Sequence, residues 1–245
     1  LPARFARQPP GGPAFLGPKG CQGCGVSDWR NRIAELVRGL DGVAGLVIQD
    51  DTGGLRLEHN ADRPFPAASL IKLPIYLAYR QRVAAGELNP GAAEIIPPEA
   101  VAGGSGVLQH APPGASQSLG RIADLMLTAS DNTAANLLID ILGMARINAA
   151  AEALGMRHTL LQRKMMDFAS REAGRDNVTT PRDVAAFLEA LQRPGALDPE
   201  IAREIVAVLR RQTLVTKLPA ALPPGAVAAH KTGELEGVEH DAGLI

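Results

Sequence analysis

The amino-acid sequence predicts an α+β fold, and two observations carry that expectation. Short apolar runs framed by turn residues, which read as strands, stand near the amino end and again at the carboxyl end. Between them lies a long stretch where apolar residues recur at helical spacing behind cap and proline signals. Aromatic residues make up only 3% of the chain, so the core has to rest on Ala, Leu, Val and Ile.

In chain order, Ser27 or Asp28 caps a first helix whose apolar stripe is Trp29, Ile33, Leu36, Val37 and Leu40, with Gly42 ending it. Val43–Gln49 and Leu55–His59 read as strands joined by the turn Asp51-Thr52-Gly53-Gly54, an antiparallel pair packed on that helix. Ser69–Ala85 reads as a helix with Pro74 near its first turn, where proline costs least. Helices follow over 119–129, Thr133–Leu142 and Ala145–Leu154. Thr180-Pro181-Arg182-Asp183 combines a cap, a proline at the first helical position and an acid in the first turn, opening a helix to about Gln192. Asp198-Pro199-Glu200 repeats that grammar for a helix to about Gln212. Ala226–His230 and Asp241–Ile245 read as the closing strands.

The 245 residues carry 25 Lys plus Arg against 26 Asp plus Glu, a net charge of −1, so no basic field for nucleic acid is present. No apolar run reaches about 18 residues, which excludes a membrane-spanning helix from the expectation. Residues 1–26 hold five Pro and six Gly and no acid, and read as a flexible leader. Cys21 and Cys24 form one CxxC within it, half a zinc site at best, so neither a metal nor a cofactor is expected. Residues 27–245 then form one domain, with an α/β part over 27–66 and 205–245 and a helical part over 67–204.

Three short motifs stand in order: Ser69-Leu70-Ile71-Lys72, Ser130-Asp131-Asn132 and Lys231-Thr232-Gly233, about 60 and about 100 residues apart. Residues three apart share a helix face, so Lys72 can reach the Ser69 hydroxyl. A serine is a weak nucleophile until a base takes its proton, and a desolvated lysine near other cations can be that base. Ser69 at a helix start also aims its own N–H at a developing oxyanion. Taken singly, Ser69 reads as a helix cap, Asp131 and Asn132 as turn residues and Thr232-Gly233 as strand-end punctuation; together the motifs point to one shared site. The competing histidine scheme finds no GxSxG partner for His59, His110, His158, His230 or His240.

On these motifs the chain resembles the class A β-lactamases and penicillin-recognising serine hydrolases. Phe65-Pro66-Ala67-Ala68 before the serine, Leu73-Pro74-Ile75 after the lysine, the small apolar run Thr133–Leu138, Thr179–Asp183 and Ala229-His230-Lys231 agree with it, over roughly residues 28–245. The resemblance implies a β-lactamase/transpeptidase-like fold, an antiparallel sheet flanked by helices plus a helical subdomain. It implies an acyl-enzyme at Ser69 formed with a β-lactam or a related amide or ester, with Lys72, Ser130 and Lys231 as catalytic residues. Asn132, Thr232, Gly233 and the backbone N–H of Glu234 would bind substrate, the last as an oxyanion donor. It implies a small-molecule β-lactam or cell-wall-like peptide or ester substrate, no nucleic-acid partner, a monomer, and export to the periplasm or beyond. Ile245 closes an apolar run with no polar tail, so the chain reads as truncated, with one more strand and a helix to follow.

Two departures from the family's pattern stand out. Its water-positioning glutamate, in an RxExxLN-like segment, aligns with Met165, and its asparagine with Ala169; Asp167 and Glu172 are nearby but off register, Asp167 being the possible substitute acid. Release of the acyl group is therefore expected to be slow. After Lys231-Thr232-Gly233 come Glu234, Glu236 and Glu239, acids that weaken attraction to an anionic substrate. The alternatives are a penicillin-binding-type peptidase or esterase, and a non-catalytic sensor that stays acylated.

Overall fold

A computed structural model describes residues 26–50 and 54–245. The leader with Cys21 and Cys24 and the tip of the first turn lie outside these. The elements are α1 (Val26–Gly39), β1 (Leu46–Gln49), β2 (Arg56–His59), β3 (Phe65–Pro66), α2 (Lys72–Ala84), β4 (Ala93–Ile95), β5 (Ser116–Ser118), α3 (Leu119–Thr128), α4 (Asn132–Leu142), α5 (Met144–Ala153), α6 (Phe168–Glu172), β6 (Val178–Thr179), α7 (Pro181–Gln192), α8 (Pro199–Leu209), β7 (Ala229–Leu235) and β8 (Val238–Leu244). The α+β order is the expected one.

The middle of the molecule is built on α2. Every residue from Lys72 to Tyr79 is buried. A segment buried on every face sits inside a core, and α3, α4, α5 and α8 surround this one. One continuous hydrophobic cluster runs from Ala67 through these helices to Ala229. Local side-chain bonds set the helix starts: Thr180 Oγ1 accepts from Asp183 N at 3.1 Å and Asp198 Oδ1 from Glu200 N at 2.8 Å. Arg182 then ties α7 to the first hairpin, its guanidinium forked onto both oxygens of Glu58 at 2.9 Å and onto Asp62.

Three expectations are corrected. The antiparallel sheet is four two-stranded ladders, β1–β2, β3–β6, β4–β5 and β7–β8, with no ladder between the first and last hairpins among the described residues. The closing strands are shifted: β7 and β8 form a tight hairpin turning at Glu236-Gly237, with Leu235 opposite Val238, so Lys231-Thr232-Gly233 lies inside a strand and not beyond one. Of the acids that disguised this, Glu234 and Glu239 pair on an exposed strand face and Glu236 lies in the turn. Third, β1 packs along α7, while Leu36 and Leu40 of the first helix's stripe are 71% and 57% exposed. No single helix among the described residues is long and apolar enough to cross a membrane.

Candidate active site

Ser69 lies in a 3₁₀ turn, Ala68–Ile71, that runs directly into α2. Neither helical segment carries a side-chain cap bond at its start, so the serine is not a helix cap. Ala68 has φ +46°, a left-handed conformation that costs a non-glycine residue about 1–2 kcal/mol. Such strain persists only where the surroundings hold it. Here Ala67, Ala68, Leu70 and Ile71 are buried while Ser69 keeps contact with solvent.

One turn on, Lys72 is fully buried. Its Nζ lies 3.1 Å from Ser69 Oγ and 3.2 Å from Ser130 Oγ, and donates to Ser130 O at 2.6 Å and to Asn132 Oδ1 at 2.8 Å. Ser130, in the loop before α4, supplies two of these four oxygens, and Asn132, the first residue of α4, a third. Asp131 holds that loop: its Oδ1 accepts from Ala134 N at 2.9 Å as the α4 cap, and its Oδ2 accepts from Leu108 N at 2.8 Å. Ser130, at φ +53°, is a second strained residue of the site. Asp131 therefore builds the loop, and its neighbours on either side face Lys72.

The third motif arrives on β7. Lys231 Nζ donates to Ser130 Oγ at 3.0 Å and to Thr232 O at 2.8 Å, so Ser130 bridges two buried lysines. Gly233 lets the strand lie flush on the nucleophile turn: a Cβ there would stand 3.2 Å from Ala68 Cβ and 3.3 Å from Ser69 N. His240, opposite Gly233 on β8, donates from Nε2 to Pro66 O at 2.8 Å and fastens the hairpin to the chain before Ser69.

Electrostatics follow from this packing. Burial holds the Lys72 ammonium well below the ordinary lysine range, and the Lys231 charge pushes it the same way against Asp131. Burial brings Lys231 down to about 7, with Asp241 and Glu234 opposing. The acids beyond Gly233 are partly neutralised by a residue the sequence gave no reason to single out: Lys217 Nζ lies 3.0 Å from Glu234 and 3.3 Å from Glu239.

The loop over 161–177 carries Met165. Its neck is closed by Arg163 on Asp176 at 2.8 Å and by Asn177, whose Oδ1 accepts from Gln162 N and Arg163 N. Asn136 of α4 clasps Met165 on both sides, accepting from its N–H at 2.7 Å and donating to its C=O at 3.2 Å. Met165 is 8% exposed. Asp167 is drawn elsewhere: it caps α6, accepting from Ser170 N at 3.0 Å, and that bond holds its carboxyl below the usual range. Its place in the fold is the start of a helix, and its hydrogen bond goes to Ser170. Asn136 was hidden in the sequence because its partner is 29 residues away.

Ser69, Lys72, Ser130, Asn132 and Lys231 thus meet in one site on a fold of the β-lactamase/transpeptidase type, which defines a penicillin-recognising serine hydrolase class. The model of the β-lactamase enzyme family matches residues 28–245, and the chain belongs to that family. It is similar to a β-lactamase of Streptomyces albus G, 29% identical over 240 residues, covering 94% of this chain and 76% of that protein. Among solved structures it is similar to PBP-A, with a TM-score of 0.81 and 33% identity over 89% of this chain and 81% of that one. A single-site leucine-to-glutamate variant of PBP-A, solved as an acyl-enzyme complex with penicillin G, gives a TM-score of 0.80 with the same identity and coverage. The chain is a β-lactamase-like hydrolase.

Proposed function

We propose that Ser69 is the nucleophile of an acyl-enzyme cycle on β-lactams or related amides and esters, and that release of the acyl group is slow. The observation that carries the first half is the surroundings of Lys72 Nζ. Two of its four neighbours, Ser130 O and Asn132 Oδ1, are oxygens that can only accept. A neutral amine has two hydrogens and one lone pair. The two acceptors take the hydrogens, and the lone pair is left for a hydroxyl, Ser69 at 3.1 Å.

The steps follow. Neutral Lys72 takes the Ser69 proton as Oγ attacks the carbonyl, and the oxyanion is met by the N–H groups of Ser69 and Glu234. Ser130, between the lysines, carries a proton to the leaving nitrogen. Lys231 and Thr232 hold the substrate carboxylate, and Asn132 keeps one amide hydrogen for the substrate beside the one given to Gly103 O at 2.8 Å. The second half rests on Met165. A thioether neither accepts a proton nor orients water, and Met165 stands where the resemblance puts the family's glutamate, its backbone held by Asn136 on both sides.

The test is labelling with a fluorescent penicillin. The wild type is expected to label, and Ser69→Ala to lose the label while keeping its fold; equal labelling of both would reject Ser69. The likeness to PBP-A favours a second reading, a penicillin-binding peptidase using the same serine. Turnover of a small peptide or ester, compared with that of a penicillin, separates the two.

A further inference from the structure

We propose that His240 is a positioning residue for the oxyanion site: its imidazole holds the strand that carries the Glu234 N–H in place against the turn that carries the Ser69 N–H. The inference rests on the acyl-enzyme reading above, in which those two N–H groups meet the oxyanion.

β6 gives the chain leading into Ser69 a ladder of only two residues, Phe65 opposite Thr179 and Pro66 opposite Val178, and Ala67 N donates to Asn177 O at 2.8 Å. Ala68 then stands in its left-handed conformation at φ +46°, and such strain persists only where the surroundings over-determine it. His240 adds a further hold. Pro66 has no N–H, so its carbonyl is the one backbone group through which it can bond. That oxygen can only accept, which makes His240 the donor, from Nε2 at 2.8 Å. Burial disfavours the charged form of the ring, and Lys217 acts the same way against the bond to Pro66. A neutral imidazole has one N–H, and Pro66 O takes it. The Phe65 ring meets the imidazole edge-on, with 6.3 Å between centroids and 85° between planes.

The same imidazole sits against the strand of the second donor. His240 is opposite Gly233 in the β7–β8 ladder, and Glu234 is the next residue. A Cβ at Gly233 would stand 3.3 Å from His240 Cδ2, 3.3 Å from Ser69 N and 3.2 Å from Ala68 Cβ. Imidazole, strand and nucleophile amide therefore converge on one glycine. An oxyanion donor works when it lies about 2.7–3.1 Å from the developing charge, and a misplacement of about 1 Å costs up to about 10²-fold in rate. The two N–H groups act on the tetrahedral state more than on the bound substrate, so loosening their spacing slows acylation and leaves substrate binding alone.

The experiment follows acylation of the purified protein over a range of penicillin G concentrations by quenched flow and intact mass, which separates the dissociation constant from the acylation rate constant. His240→Leu, which keeps apolar volume without a donor, and His240→Ala are expected to lower the rate constant by about 10–100-fold. Their dissociation constants should stay within about threefold of wild type, well under the 1.4 kcal/mol of a tenfold change. His240→Gln, whose amide N–H can reach Pro66 O, should recover the rate constant to within about threefold. A merely structural role predicts a lower melting temperature with the rate constant unmoved. A rate constant unmoved in the Leu variant, or a fall that Gln does not recover, overturns the assignment. A wild type that penicillin G does not label overturns the acyl-enzyme reading, and the assignment with it.

Discussion

At the scale of single residues, the account turns on two lysines placed where lysine is least comfortable. Acylation needs Lys72 neutral, and burial beside Lys231 holds it well below its ordinary range. Below its folded pKa it is protonated and cannot act as base, so kcat/KM rises as pH rises through that value. Lys231, at about 7, loses its charge above that pH. For an anionic penicillin kcat/KM should therefore fall above about pH 7, while an uncharged ester should show no such fall. Matching alkaline limbs for the two substrates would count against Lys231 as the carboxylate holder. Lys72→Ala should slow acylation by about 10²–10⁴-fold, measured by quenched-flow labelling. Met165→Glu should accelerate release in a hydrolysis assay, because it returns a carboxylate to a backbone position that Asn136 already fixes.

At the scale of elements, the site is held by loops that borrow their shape from helix ends. Asp131 caps α4 and also receives Leu108 N. Asp131→Ala removes a cap, worth about 0.5–2 kcal/mol, and orphans a buried amide at about 1–3 kcal/mol. Denaturant titration should show a loss of about 2–4 kcal/mol, and a loss under about 1 kcal/mol would refute the bracing role. What was legible in the sequence divides along the same line. The caps at Thr180 and Asp198 bond to residues two or three positions on, so their grammar is local and readable. The hairpin that carries Lys231 was misplaced because Glu234, Glu236 and Glu239 imitate one long loop, whereas only Glu236 is in the turn and the other two pair on the open face of the strands. The Asn136 clasp depends on a partner far along the chain, and no local pattern announces it.

At the scale of the whole molecule, three motifs about 60 and about 100 residues apart converge because α2 sits at the centre of the helices while β7 is laid against its first turn. The joint pattern was readable before the fold, since each motif carries chemistry that needs the others; the distances among Ser69, Lys72, Ser130 and Lys231 were not. The core makes that geometry rigid. Leu77, fully buried in α2, is a place to test this: Leu77→Ala should cost about 2–5 kcal/mol by denaturant titration. The most direct test of the central claim, an acyl-enzyme at Ser69 with slow release, is pre-steady-state nitrocefin hydrolysis with intact mass followed in parallel. The account predicts a burst of one equivalent, an adduct that vanishes in Ser69→Ala, and a slow steady phase. Fast linear turnover with no burst and no adduct would contradict it.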